Sequence, residues 1–481
     1  MVGSIHFRRA LRKAATDPYR PADSRNQSVA MSSGENIGLV NGQPKYPRKG
    51  VWRQFCEVLG SKNYSAGNDS DSNIIRALAP TILATKITLY SNYVNFLLVF
   101  VPLGIVGGFL GWNPSLVFFL NFLAVVPLAA VLSFATEEIS LKVGETLGGL
   151  LNATFGNAVE LIVSIVALKN GELRIVQSSM LGSILSNMLL VLGCCFLAGG
   201  IHNRRTGTAV GIEQSFNSTV ASTMSSLLAV AAATLIIPAT LYAALASSSE
   251  NTQNGIQLLS HGTAIILLVL YVLYLTFQLS THSALFDTEA LVQEIEDVEN
   301  EPEETHIRTW PAIIVLVIVT IAVAICAEYL VDSIDAIVAT VHISKTFIGL
   351  ILLPIVGNAA EHATAIVVAV RDKMDLAMGV AIGSSLQIAL LVTPSLVILG
   401  WIIGQPLSLR FETFETMVFF LSVLVVTYVI QDGKSNYLEG AMLLGLYLII
   451  ALAFLVYPDD AGNFFPETSE ISSFARSLIG R

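Results

Sequence analysis

Two glutamates carry the strongest chemical signal in the chain. Glu160 lies in GNAVELIVSIVAL, which begins at Gly156, and Glu361 lies in GNAAEHATAIVVAV, which begins at Gly357, 201 residues later. Each stands near the middle of an apolar run of helix length, where a charged carboxylate costs several kcal/mol unless it is paired or hydrated. Asn157 precedes Glu160 by three positions and Asn358 precedes Glu361 by three, so each amide shares a helix face with its carboxylate. The offset holds without a gap into the next runs. There Gly182-Ser183-Ile184-Leu185-Ser186 aligns with Gly383-Ser384-Ser385-Leu386-Gln387, and Ser183, Ser186 and Asn187 share a face matched by Ser384 and Gln387. Gly156 and Gly357 lower local helix stability and permit close approach or a kink. The candidate ligand set is therefore Glu160, Glu361, Asn157, Asn358, Ser183, Ser384 and Gln387, with Gly156 and Gly357 beside them.

These donors are oxygens, with no cysteine and one adjacent histidine. Hard cations prefer such ligands, and Ca²⁺ takes about 6–8 oxygens in flexible geometry. Two carboxylates neutralise a divalent ion, and a carboxyl group removed from water holds a proton more readily. The same two groups can be bound by Ca²⁺ or protonated, but not both, which is the physical basis of cation/proton exchange. A structural hydrogen-bonding pair is the plain alternative, and symmetry-related positions argue against it.

The elements that must position these residues are membrane helices. The chain has 481 residues, 53% of them hydrophobic and 13% charged, and its mean hydropathy is +0.68. A soluble protein carries about 25% charged residues, so a soluble enzyme, a disordered scaffold and a nucleic-acid binder are excluded. Eleven apolar runs occur, at 94–112, 115–135, 146–168, 175–199, 216–237, 258–279, 310–330, 346–370, 376–402, 415–431 and 438–457. Of the 26 Lys and Arg, 20 fall in the N-terminal tail and alternate loops and six on the other side; short loops alone give seven against four. By the positive-inside rule the N-terminus is cytosolic, and an odd number of spans places the C-terminus across the membrane. Four cysteines (Cys56, Cys194, Cys195, Cys326) form no spaced cluster, so neither a zinc site nor a disulfide framework is indicated.

The predicted fold is an all-α integral membrane protein with 11 spans: an accessory first span, then two five-helix repeats, spans 2–6 and 7–11. Five is odd, so the second repeat enters from the opposite face, the inverted-topology arrangement that builds one midplane site reachable from both sides. The expected divisions are a disordered cytosolic tail (1–76), a lead-in with the accessory span (77–112), the first repeat (113–282), an acidic cytosolic linker (283–306), the second repeat (307–457) and a C-terminal tail beyond the membrane (458–481). From Asp287 to Glu304 there are nine acidic residues and no basic one. Glu294, Asp297 and Glu301 share one helix face there, which predicts either a cation-attracting helix or a solvated linker.

These residues resemble a known family. GNAVELI, GNAAEH, the Gly-Ser stretches that follow and the intervening acidic segment look like the cation/Ca²⁺ exchanger superfamily, in particular its Ca²⁺/H⁺ exchangers (CAX) and, among those, the vacuolar exchangers of fungi. The resemblance covers roughly residues 77–457. It implies an antiporter and not an enzyme, with no cofactor, that moves Ca²⁺ (in some members Mn²⁺) from cytosol into an acidic organelle, the vacuole, in exchange for H⁺. It implies Glu160 and Glu361 as the central ligands, and a C-terminus in the lumen.

Secondary residues are weighed against plainer roles. His362 follows Glu361 where the first repeat has Leu161; it serves either proton coupling or helix packing. Glu137 and Glu138 end span 2 and Glu328 ends span 7, as vestibule carboxylates or as ordinary helix-end charges. Na⁺-coupled Ca²⁺ exchange on the same fold is the close alternative. A cation channel fits a divided, repeated site less well, and a non-transporting Ca²⁺ sensor leaves the two glutamates without a purpose. No GxxxxGK[ST] phosphate loop occurs, so ATP-driven transport is not indicated.

Overall fold

The computed structural model describes residues 93–143, 145–205, 213–245, 250–286 and 309–458, together with the dipeptides 39–40, 43–44 and 88–89. Glu294, Asp297 and Glu301, the rest of the N-terminal tail and residues 459–481 lie outside the described residues. What is described is helical, apart from two-residue antiparallel pairings such as Gln214–Ser215 with Lys434–Ser435.

The first half comprises α1 (Tyr93–Phe109), α2 (Pro114–Ser140), α3 (Glu145–Phe155), α4 (Ala158–Lys169), α5 (Leu173–His202), α6 (Ser218–Leu245) and α7 (Glu250–Thr276). The second comprises α8 (Thr309–Asp332), α9 (Ile334–Val341), α10 (Lys345–Gly357), α11 (Ala359–Val370), α12 (Met374–Ile403), α13 (Thr413–Val429) and α14 (Tyr437–Val456). Among the described residues, seven helices are individually long and apolar enough to cross a membrane. Their starts are written in local chemistry. Asn113 caps α2 by accepting from Ser115 N at 2.9 Å, with Pro114 in the first turn. Asn436 and Glu439 form a capping box at α14, and Glu412 and Glu415 form another at α13.

The repeat is visible to the residue. Both ends of α4 lie 201 positions before those of α11, and the same offset relates both ends of α5 to those of α12. The turns leading into α5 and α12 match too: Gly171 and Asp372 both adopt positive φ, at 79° and 62°. Gly171 takes that conformation without a steric cost. Asp372 takes it while accepting from Gln214 Nε2 at 2.9 Å.

Two runs that read as single spans are each two helices. The run 146–168 breaks into α3 and α4 at Gly156–Asn157, and 346–370 breaks into α10 and α11 at Asn358. A short α9 precedes α10 at a bend of 118°. The long helices α5 and α12 stay continuous but each contains a π-helical stretch, Ser186–Val191 and Ile388–Val392. Such wide turns gather at functional sites.

α5 and α12 run antiparallel through the centre. The residues that open them, Arg174 and Asp375, are repeat-related and mark opposite ends of the bundle. At the Arg174 end, Gln177 Nε2 donates to Ser408 O at 2.8 Å, just beyond the far end of α12. At the Asp375 end, Asp375 accepts from Asn217 N at 2.6 Å, and Gly199 near the far end of α5 lies against Ala369 O.

Candidate cation site

The breaks place the two glutamates where a carboxylate is best accommodated. Asn157 and Asn358 are the N-cap residues of α4 and α11, and Glu160 and Glu361 lie in their first turns. The unpaired N–H groups and dipole of a helix start favour negative charge. Glu160 is thus not a mid-helix residue facing lipid but one near the start of a half-helix buried in the protein.

The two motifs interlock. A Cβ on Gly357 would come within 2.9 Å of Glu160 Oε1, and one on Gly156 within 3.8 Å of Glu361 Oε1. Each motif's glycine therefore lies beside the other motif's carboxylate, and a side chain at Gly357 would displace Glu160.

Around this crossing the polar side chains of α4, α5, α11 and α12 form one network. Asn157 Nδ2 donates to Gln387 Oε1 at 2.6 Å. Ser384 Oγ lies within donating distance of Asn157 Oδ1 (3.0 Å) and of Glu361 Oε2 (3.1 Å), and it accepts from Asn187 Nδ2 at 3.1 Å. Asn358 Nδ2 donates to Ser183 Oγ at 3.4 Å. His362 Nε2 stands 3.3 Å from Ser186 Oγ. Asn157, Asn187, Asn358, Ser183 and Ser186 are all buried at 0–1% exposure. Every bond here except the Ser384–Glu361 contact joins one half of the chain to the other.

The sequence-predicted ligands Glu160, Glu361, Asn157, Asn358, Ser183, Ser384 and Gln387 are thus gathered in one place, with Gly156 and Gly357 providing the close approach. Asn187 joins them; its position on the face of Ser183 and Ser186 was the signal for it. His362 is turned to Ser186. Glu137 and Glu138, buried near the end of α2, and Glu328, exposed near the end of α8, stand outside this group of contacts. Glu328 instead borders a groove between α8 and α1 with Asp332 and Tyr329.

Sequence reasoning missed a cluster at the Arg174 end. Arg174 forms a bidentate pair with Glu415 (3.0 and 2.7 Å), contacts Glu412 at 3.2 Å, and donates to Thr346 Oγ1 on α10 at 3.1 Å. Lys345 bridges Glu172 (2.9 Å) and Asp335 (2.7 Å). Glu415, a wholly buried acid at the edge of an apolar run, was the available signal.

Residues 114–280 and 311–456 match the model of the sodium/calcium exchanger protein family. The chain belongs to that family. It is 53% identical over 420 residues to a vacuolar calcium ion transporter of Schizosaccharomyces pombe, spanning 85% of this chain and 98% of that one. It is 44% identical over 395 residues to vacuolar cation/proton exchanger 3 of Oryza sativa, spanning 81% and 92%. Among solved structures it resembles native YfkE, with a TM-score of 0.61, 36% identity, and coverage of 76% of this chain and 100% of that one. Another structure of YfkE describes it as a Ca²⁺/H⁺ antiporter protein.

Proposed function

We propose that the chain is a secondary antiporter that exchanges cytosolic Ca²⁺ for H⁺ from an acidic organelle, with Glu160 and Glu361 as the groups that bind either the ion or protons. The observation that carries this reading is the crossing itself: two carboxylates on facing half-helix starts, each beside the other motif's glycine, within a ring of amide and hydroxyl oxygens from both halves. Those donors suit a hard divalent cation. Glu160, Glu361, Asn157, Asn358, Ser183, Ser384 and Gln387 supply the oxygens, and no cofactor is called for. Proton coupling, as opposed to Na⁺ coupling, is supported by relatives named as cation/proton exchangers and as a Ca²⁺/H⁺ antiporter. The names of the vacuolar relatives support the vacuolar membrane as its place.

In this reading the helical segments make 11 spans in two inverted repeats, with the N-terminus in the cytosol and the C-terminus in the lumen. Lys142, Arg371 and Lys373 then mark the cytosolic face, which is the Asp375 end, and the Arg174 end is lumenal. Ca²⁺ enters from the Asp375 end and displaces protons from the two carboxylates. The halves rearrange, the acidic lumen returns protons, and Ca²⁺ leaves. Glu137 and Glu138 serve the cytosolic vestibule and Glu328 the lumenal one, and Glu294, Asp297 and Glu301 attract cations at the cytosolic face. Mn²⁺ is a second substrate consistent with the same oxygen donors.

The test is Ca²⁺ uptake into vesicles made acidic inside, with an ionophore that collapses the pH gradient as control. Uptake should require the gradient and vanish in Glu160→Gln and in Glu361→Gln, which keep side-chain size and remove the titratable charge. Uptake indifferent to the gradient overturns proton coupling, and coupled uptake in both variants overturns the site.

A further inference from the structure

The repeated serine–asparagine contact runs in opposite directions in the two halves. Ser384 Oγ donates towards Asn157 Oδ1 at 3.0 Å, whereas Asn358 Nδ2 donates to Ser183 Oγ at 3.4 Å. Ser183 and Asn358 are the repeat equivalents of Ser384 and Asn157. Two positions that differ between the halves account for the reversal. Gln387 takes the Asn157 N–H at 2.6 Å, which turns Asn157 Oδ1 towards Ser384. Its equivalent is Ser186, whose hydroxyl meets His362 instead. Asn187, whose equivalent is Ile388, donates from Nδ2 to Ser384 Oγ at 3.1 Å.

A serine hydroxyl has one hydrogen and two lone pairs. Asn157 Oδ1 at 3.0 Å and Glu361 Oε2 at 3.1 Å both compete for the hydrogen of Ser384. Its third neighbour must therefore donate, and the Asn187 amide does. The result is a directed chain, Asn187 to Ser384 to Asn157 to Gln387, which runs from α5 to α12, to the start of α4 and back to α12. Hydrogen bonds in such a chain polarise and strengthen one another in a low dielectric. A helical serine has another outlet, the carbonyl four residues back, and the neighbouring Ser385 uses it, donating to Ala381 O at 3.0 Å. Asn187 and Ser384 are both buried, so bulk water does not stand in for the amide.

We propose that Asn187 is a positioning residue of the cation site. Its amide holds the Ser384 hydroxyl with the hydrogen directed at Asn157 and Glu361 and with one lone pair left for the cation. Asn187 lies in the first half and acts on a ligand of the second, so this arm of the site depends on the register of α5 against α12. The inference rests on Glu361 and Ser384 being ligands of the transported cation.

A double-mutant cycle with Ser384, read on purified protein by Ca²⁺ binding and by thermal midpoint in a chelator, tests this. Asn187→Ala should weaken Ca²⁺ binding about three- to tenfold. In Ser384→Ala, where no hydroxyl is left to orient, the same change should cost less than about twofold. Asn187→Ser, polar but too short to reach Ser384, should match Asn187→Ala and carries the test if the alanine variant does not fold. Unchanged affinity in the Asn187 variants, or losses that simply multiply in the double variant, overturns the positioning role. A residue needed only for packing would lower the midpoint and give that multiplicative result in binding. The midpoints in chelator report the Asn187–Ser384 bond independently of any ion and should show the same non-additivity; additive midpoints overturn the bond itself. Wild-type Ca²⁺ binding in Glu361→Gln would instead overturn the reading of the site, with the midpoint cycle unaffected.

Discussion

The two ends of the bundle are built from equivalent pieces and packed unequally. At the Arg174 end, α10 is seated directly on α5: Gly182 lies against Leu350 O, Gly349 lies against Ser178 and Ile175 O, and Arg174 and Lys345 bind across the seam. The repeat places α3 and α12 in the corresponding positions at the Asp375 end. There, among the described residues, a Cβ on Gly383, the equivalent of Gly182, would meet only Met224 Cε of α6, at 3.6 Å, and one on Gly379 would meet nothing within 4 Å. Gly148, the equivalent of Gly349, is pressed against Ser140 O of α2 instead. Among the described residues, one seam is therefore packed closely and its twin is not. On the proposed inverted-repeat topology such inequality is reversible: exchanging the packing of the two halves would open the first end and close the second. Only small residues permit backbones to approach so closely, and Gly148, Gly379 and Gly383 keep that option at the seam that is open here.

The largest break in this comparison comes from Arg174→Ala. It strands the buried Glu415 without its cation, and removing one partner of a buried pair costs about 3–5 kcal/mol. The thermal midpoint of purified protein should fall by several degrees; an unchanged midpoint would remove the clamp from the account. Gly182→Ala comes next, because its methyl group enters the space of Leu350 O, at about 1–3 kcal/mol for overpacking. Its counterpart Gly383→Ala should leave the midpoint alone and slow transport instead, since its cost arises only when α3 seats on α12. Equal effects of the two alanines on stability would mean that the seams do not differ. Thiol labelling sharpens the contrast without a stability change. With native cysteines replaced, Gly379→Cys should react with a small water-soluble reagent and Ser178→Cys, wholly buried at the closed seam, should not. The smallest effect belongs to Lys345→Ala. Its partner Asp335 is 73% exposed, so the loss should stay within about 0.2–1 kcal/mol and show as a slight change in transport rate.

The pattern of what the sequence revealed follows from the same contrast. Because no insertion separates Gly156–Ser186 from Gly357–Gln387, a single offset aligned α4 with α11 and α5 with α12, and the candidate ligand set came with it. The helix breaks were legible only as glycine-induced kinks, since Asn157 and Asn358 stand at N-cap positions without a side-chain capping bond, their amides being turned to Gln387 and Ser183. Arg174 and Lys345 were counted as loop charges, because charge bias reports the side of a membrane and not the partner. The difference between the seams was not legible at all: the repeat prescribes equivalent pieces, and a conformation in which they are used unequally is a property of the folded state.

The central claim is that one pair of carboxylates holds either Ca²⁺ or protons, and Ca²⁺ binding to purified protein, followed together with proton release across a range of pH, tests it most directly. Binding should weaken as the pH falls and should release protons into a weakly buffered solution, and both effects should be lost in Glu160→Gln and Glu361→Gln. Ca²⁺ binding that is independent of pH and releases no protons would contradict the account.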